Sequence, residues 1–176
     1  EPDVPMVMTG TGTGVAPFLA FARERDWYIK NHGREHNGQM WLFFGCRNRR
    51  SDYILGDELE DLSRRGVLSH LMPAFSRDGP KKVYIQNKIE EQAEGVYKAL
   101  VEKKGYLYLC GQAGDREKDV LNAVAKAFEL GGKMPAAQGE VAVLLHQGLV
   151  DALGLLLDLV LDVDLLGRVA GEGRHE

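Results

Sequence analysis

The chain has 176 residues, 44% of them apolar and 27% charged, with a formal net charge of −4. That composition excludes a disordered tail protein, a collagen-like repeat and a disulfide-stapled miniprotein, and the length suits one domain with its own core. The charge is uneven: residues 136–176 carry seven acids and two bases, leaving 19 acids and 20 bases before them, a near-neutral body without the basic excess of a nucleic-acid binder.

The sequence opens Glu1-Pro2-Asp3-Val4-Pro5, with no basic segment leading into an apolar run, so no signal peptide is read there. It lacks an initiator Met and enters a strand at once, as a fragment of a longer protein would. Val4–Met8 is the first predicted strand. A glycine turn follows, and residues 16–31 then place Phe18, Phe21, Ala22 and Ile29 near one helical face. Met40–Phe44 is the second strand, and residues 57–65 form a helix. Leu68–Phe75 and Lys82–Gln86 are weaker strand candidates. Residues 88–103 and 115–130 are predicted helices, with Tyr106–Leu109 a strand between them. Strands separated by helical crossovers imply a doubly wound α/β fold around a mainly parallel, five-stranded Rossmann-like sheet.

The tail reads differently. Val141–Leu166 is rich in Leu and Val but holds Asp151, Asp158, Asp162 and Asp164. Each Asp near a bilayer centre costs roughly 2.5–3.5 kcal/mol, so four of them defeat insertion. Three of these acids share one helical stripe, which predicts a helix packed on its own domain or on another chain, with a tail-mediated oligomer as one outcome and a poorly ordered tail as the alternative. The expected division is therefore a domain over residues 1–135 and an acidic, Leu-rich tail over residues 136–176.

Cys46 and Cys110 lie 64 residues apart with no CxxC pair, which suits a reducing, cytoplasmic-side compartment. His32 and His36 are four apart but sit among Gly and Asn in a loop, while His70, His146 and His175 are isolated, so no metal site is expected.

Ligands of doubly wound sheets bind beyond the carboxyl ends of the strands, which directs attention to four segments. Thr9-Gly10-Thr11-Gly12-Thr13-Gly14-Val15-Ala16-Pro17-Phe18 is a strand-to-helix turn in which Gly12 and Gly14 let backbone approach an anion and Thr11 and Thr13 offer hydroxyls. It is neither the strict dinucleotide fingerprint, since Val15 stands where the third glycine belongs, nor a P-loop. Gly45-Cys46-Arg47-Asn48-Arg49-Arg50 has arginines where an NAD site would place an acid; Arg47, nearest the strand end, is the phosphate candidate, and Arg49 and Arg50 also fit a solvated turn. In Ser76–Gln86, Ser76, Arg77 and Lys82 could surround a phosphate monoester with Tyr84 stacking on adenine, although basic turns are common. The fourth segment centres on Cys110, which as a strand-end cysteine also fits a small buried hydrophobe.

In order and spacing, GTGTGVAPF, FFGCRNRRSDYILGDEL, AFSRDGPKKVYIQ and YLYLCGQAGDREKDV resemble the NADPH-binding domain of the diflavin reductases, the ferredoxin–NADP reductase-like family of NADPH–cytochrome reductase, sulfite reductase flavoprotein and the nitric-oxide synthase reductase half. The resemblance covers roughly residues 4–135. It implies that Thr13 contacts the nicotinamide–ribose phosphate half and Arg47 the pyrophosphate. It further implies that Ser76, Arg77 and Lys82 cradle the 2′-phosphate, that Tyr84 lies beside that phosphate and the adenine, and that Gln86 is a further adenosine contact. Cys110 would stand beside the nicotinamide as the catalytic thiol, and Asp119 would be an acid on the closing helix. The chain departs from the family at Gln112, where many members have Asp, at Arg116, where Met is typical, and after Met134, where the terminal aromatic is missing.

The implied function is to bind NADPH and position it for hydride transfer to FAD, with electrons passing singly through FMN to a haem or iron–sulfur protein. The FAD-binding and FMN domains would belong to the same full-length chain, as would any upstream membrane anchor. This fragment itself is expected to touch neither membrane nor nucleic acid. The alternative is a nucleotide-binding regulatory module without a redox role.

Overall fold

The computed structural model describes residues 3–33, 38–111 and 115–132. The expectations for His36, Gln112 and residues 136–176 fall outside the described residues, as does that for the side chain of Arg116.

Four parallel strands form one sheet: β1 (Met6–Thr11), β2 (Met40–Cys46), β3 (His70–Phe75) and β4 (Tyr106–Cys110). Their order is β3-β2-β1-β4. The chain steps outward from β1 to β2 to β3, then returns past β1 to lay down β4 on the other side. Strand order therefore reverses between β1 and β4, where such folds open a crevice at the carboxyl ends. Register aligns Thr9 with both Phe43 and Leu109, and Gly10 with both Phe44 and Cys110.

Both sheet faces are covered, because residues of alternate parity on each strand point to opposite sides. On one face Met8, Met40, Leu42 and Phe44 pack with Phe18, Leu19 and Ala22 of α1 (Ala16–His32) and with Leu59 and Leu62 of α3 (Gly56–Arg64). On the other, Val7, Trp41, Phe43 and Leu107 meet Ile85 and Ile89 of α4 (Ile85–Glu91), Val96 of α5 (Ala93–Tyr97), and Val124 and Phe128 of α6 (Asp115–Gly132). Phe43 and Phe44 are fully buried on opposite faces. Burying an aromatic or aliphatic side chain of this size contributes about 1.5–3 kcal/mol. One polar residue joins the buried side of α1: Arg25, whose guanidinium donates to the Gly38 carbonyl at 2.8 Å and whose pKa is lowered by burial.

Three expectations are corrected. The fifth strand, Lys82–Gln86, is absent, and the described residues hold four strands. The Tyr84 N–H is taken by the Asn87 side chain at 2.9 Å, while its carbonyl accepts from the Asn87 N–H, so Tyr84 caps α4 and the helix opens at Ile85 and Gln86. The single helix over 88–103 is divided into α4, α5 and a π-helical turn at Lys98–Glu102, with the break at Gln92. Within α5 the Trp41 ring crowds Gly95 so closely that a Cβ would lie 2.5 Å from it. Third, a four-residue helix α2 (Arg49–Asp52) stands where the sequence gives only a basic turn. Among the described residues, no helix is long and apolar enough to cross a membrane.

Candidate functional site

The crevice at the strand-order reversal is a cleft of about 1000 Å³. Its walls include Gly12, Thr13, Gly14, Arg47, Ser76, Arg77, Lys82, Tyr84, Gln86, Cys110 and Asp119, which brings every sequence-nominated site residue to one place.

The glycine turn forms because β1 runs on through Thr11 and the backbone then tightens into a 3₁₀ turn at Gly12–Val15. Gly12 has φ of 55°, a left-handed conformation that glycine adopts without steric cost. Gly14 is required by close approach instead: a Cβ there would lie 2.3 Å from the Cys110 carbonyl oxygen. Pro17 falls in the first turn of α1, where a missing N–H costs nothing. The turn and the end of β4 are thereby pressed together, with the exposed Cys110 beside the opening.

The turn after β2 is fastened internally. The Asn48 N–H and side-chain amide both donate to Asp52, at 3.0 and 3.2 Å. The Ser51 hydroxyl, followed by these Asn48 groups, holds the Asp52 carboxyl below the ordinary range. Of the three arginines, only Arg47 lines the cleft. The Arg49 side chain pairs with Glu60 and lies over the rings of Tyr53 and Phe75, at 5.5 and 5.6 Å. Arg49 is thereby held outside the cleft lining, by contacts that neither the solvated-turn nor the phosphate reading included.

The loop after β3 continues the β2–β3 ladder past the strands. Ser76 N–H donates to the Cys46 carbonyl at 3.0 Å and Arg77 N–H to the Arg47 carbonyl at 2.8 Å. Ser76, Arg77 and Lys82 then face the same opening as Arg47, and Tyr84 stands 45% exposed at its rim. Across the cleft, Gln86 on α4 donates to Asp119 on α6 at 3.3 Å.

Among the described residues Arg47, Arg77 and Lys82 have no ion-pair partner, as is also true of Arg50, Lys81, Lys103, Lys104 and Lys118 outside the cleft, whereas Arg23, Arg49, Arg64, Arg65, Lys30, Lys88, Lys98 and Lys126 are paired; what sets the three apart is that they line one opening. Three unpaired cations converging on a cleft, with a glycine turn at its floor, fit a ligand carrying several phosphate charges. A dinucleotide with a 2′-phosphate has that charge distribution, and these residues suit it.

Sequence reasoning did not nominate Cys46, Asp52, Val83, Ile85 or Val120 as lining residues, though all reach the cleft. Asp52 had a weak signal, a carboxylate one helical turn after Asn48; the apolar residues had none. Cys46 is half-buried, and burial, followed by the nearby Asp52 and Asp78 carboxylates, pushes its thiol up to about 11. Among the described residues there is no group of three or more His, Cys, Asp or Glu side chains able to hold a metal ion.

Residues 8–115 match the family model of the oxidoreductase NAD-binding domain. The chain is 41% identical over 133 residues to methionine synthase reductase of Bos taurus, covering 72% of this chain and 19% of that protein. It is 41% identical over 137 residues to the NADPH–cytochrome P450 reductase of Drosophila melanogaster, covering 78% and 20%, and 37% identical over 134 residues to that of Sus scrofa, covering 76% and 20%. The chain spans about a fifth of the length of these curated relatives.

Proposed function

Because the chain belongs to the oxidoreductase NAD-binding domain family, in the form carried by diflavin reductases, we propose that it is the NADPH-binding module of such a reductase and sets the nicotinamide for hydride transfer to FAD on another domain of the full protein. The observation that carries this reading is the convergence of Arg47, Arg77 and Lys82, all without ion-pair partners among the described residues, on the cleft at the β1–β4 reversal.

NADPH supplies the hydride and its two electrons, while this chain supplies orientation and charge. In the proposed arrangement Ser76, Arg77 and Lys82 receive the 2′-phosphate, with planar and point-charge donors suited to a dianion. Arg47 and the backbone of the Gly12–Gly14 turn receive the pyrophosphate. Tyr84 offers its exposed ring to the adenine, and Gln86 and Asp119 close the adenosine side. Thr13 and Cys110 border the nicotinamide end, where Cys110 is the proposed catalytic thiol. Transfer onward through FMN to a haem or iron–sulfur acceptor belongs to the same proposal, as do the FAD and FMN domains themselves. The division into a binding domain over residues 1–135 and a separate tail is likewise proposed.

The test is a calorimetric titration of the 176-residue chain with NADP⁺, NAD⁺ and 2′,5′-ADP in one buffer. Binding of NADP⁺ and 2′,5′-ADP with little NAD⁺ is expected. Equal binding of NADP⁺ and NAD⁺ would remove the 2′-phosphate assignment of Ser76, Arg77 and Lys82 and leave the fold intact.

A further inference from the structure

We propose that Asp78 is a positioning residue of this cleft: its carboxylate ties the arginine turn after β2 to the basic loop after β3 and so fixes the spacing of two anion subsites. The proposal rests on reading the cleft as an NADP site.

The β2–β3 ladder ends at the Cys46–Phe75 pair, yet the two chains stay bonded beyond it. Ser76 and Arg77 donate backbone N–H groups to the carbonyls of Cys46 and Arg47. The next link is a side chain. Asp78 Oδ2 accepts the Arg49 N–H at 2.8 Å, crossing from one loop to the other. Arg47 therefore sits between two cross-links, its own carbonyl bonded to Arg77 and the following turn bonded to Asp78. On its far side the turn is closed by Asp52 and Asn48. The Arg49 side chain is held separately by Glu60, Tyr53 and Phe75, so the backbone N–H is what Asp78 acts on.

This arrangement holds Arg47 of one subsite and Ser76 and Arg77 of the other at one separation. A ligand that bridges both subsites gains from that spacing, because the loops need no ordering when it binds. A ligand that fills only the 2′-phosphate subsite gains little. Charge alone gives the opposite sign: a carboxylate beside a phosphate site repels the ligand, so its removal would tighten binding. The two roles are therefore separable by experiment.

The full chain would be titrated with NADP⁺, which bridges the subsites, and with 2′-AMP, which fills one. Asp78→Ala is expected to weaken NADP⁺ about tenfold, the size of one lost charge-assisted hydrogen bond, and to leave 2′-AMP within about threefold. Asp78→Asn keeps an oxygen that accepts the Arg49 N–H, so it should hold NADP⁺ within about threefold of the wild type.

A second pair of variants keeps the test decisive if Asp78→Ala does not fold. Asn48 has φ −128° and ψ 142°, the extended conformation that the residue before a proline adopts, and Arg49 opens a helix, where proline is tolerated. Arg49→Pro removes the N–H that Asp78 accepts, while Arg49→Ala keeps it and also lacks the side chain. Arg49→Pro should bind NADP⁺ about tenfold more weakly than Arg49→Ala. The proposal is overturned if Asp78→Ala binds NADP⁺ as well as or better than the wild type, if Asp78→Asn falls with it, or if Arg49→Pro matches Arg49→Ala. A wild-type chain that binds neither NADP⁺ nor 2′-AMP overturns the reading of the cleft and this proposal with it.

Discussion

Gly14 stands so close to Cys110 that a Cβ on it would lie 2.3 Å from the Cys110 carbonyl oxygen. The obstacle is backbone, which cannot swing aside as a side-chain end can. Gly14→Ala must therefore push the glycine turn away from the end of β4, where the proposed nicotinamide end lies. Overpacking of this kind costs about 1–3 kcal/mol. Urea denaturation should show that loss, and NADP⁺ binding should weaken together with it. A variant as stable as the wild type would mean that the two loops are not in contact in solution.

The cationic side of the cleft gives a selectivity prediction. Arg77→Ala and Lys82→Ala should each weaken NADP⁺ about ten- to hundredfold, the range of one lost hydrogen bond between charged groups. NAD⁺, which lacks the 2′-phosphate, should move by less than about threefold on the same scale. Equal losses for both dinucleotides would place these side chains elsewhere on the ligand.

The two cysteines should label in a fixed order. Cys110 is exposed beside the cleft opening, whereas Cys46 is half-buried and its thiol is pushed up to about 11, first by burial and then by Asp52 and Asp78. The thiolate is the reactive form, so at pH 8 about one Cys46 in a thousand is reactive, rising about tenfold per pH unit until the pH nears 11. Mass spectrometry after brief iodoacetamide treatment should find Cys110 modified first, with NADP⁺ shielding it. Labelling of Cys46 ahead of Cys110 at pH 8 would contradict the placement of both thiols.

Much of this was legible in the sequence because it depends on local patterns. Apolar runs such as Met40–Phe44 mark doubly buried strands, and Gly12 and Gly14 mark a turn with unusual backbone demands. The four segments, taken together, pointed to the family to which residues 8–115 belong. Non-local choices were less legible. Lys82–Gln86 has a strand's composition, but the Tyr84 N–H donates to the Asn87 side chain as a helix cap and the helix opens at Ile85. The sequence favours Arg47 over Arg49 only by its nearness to the strand end, whereas the structure separates them because Glu60 and two aromatic rings hold the Arg49 side chain and Arg47 lines the cleft. Asp78 has no role in the sequence reading, and its bond to the Arg49 N–H, 29 positions away, is what singles it out.

Tyr53 offers a last test, of packing rather than binding. Its ring lies against Phe44 and Phe75, at 5.4 and 5.3 Å between centroids, and its hydroxyl is buried without a hydrogen-bond partner among the described residues. An unsatisfied buried hydroxyl costs about 1–3 kcal/mol, and Tyr53→Phe removes it while keeping the ring. The variant should be as stable as the wild type or more so near neutral pH, measured by urea denaturation. Burial, with Glu60 adding to it, also raises the phenol from 10.0 to about 12. The unfolded chain thus gives up this proton first as pH rises, so this group's contribution to stability is complete below pH 10 and declines toward pH 12. That alkaline decline should be shallower in Tyr53→Phe. A variant markedly less stable at neutral pH would show that the hydroxyl has a partner in solution and that the segment from Asn48 to Leu55, α2 included, is held differently.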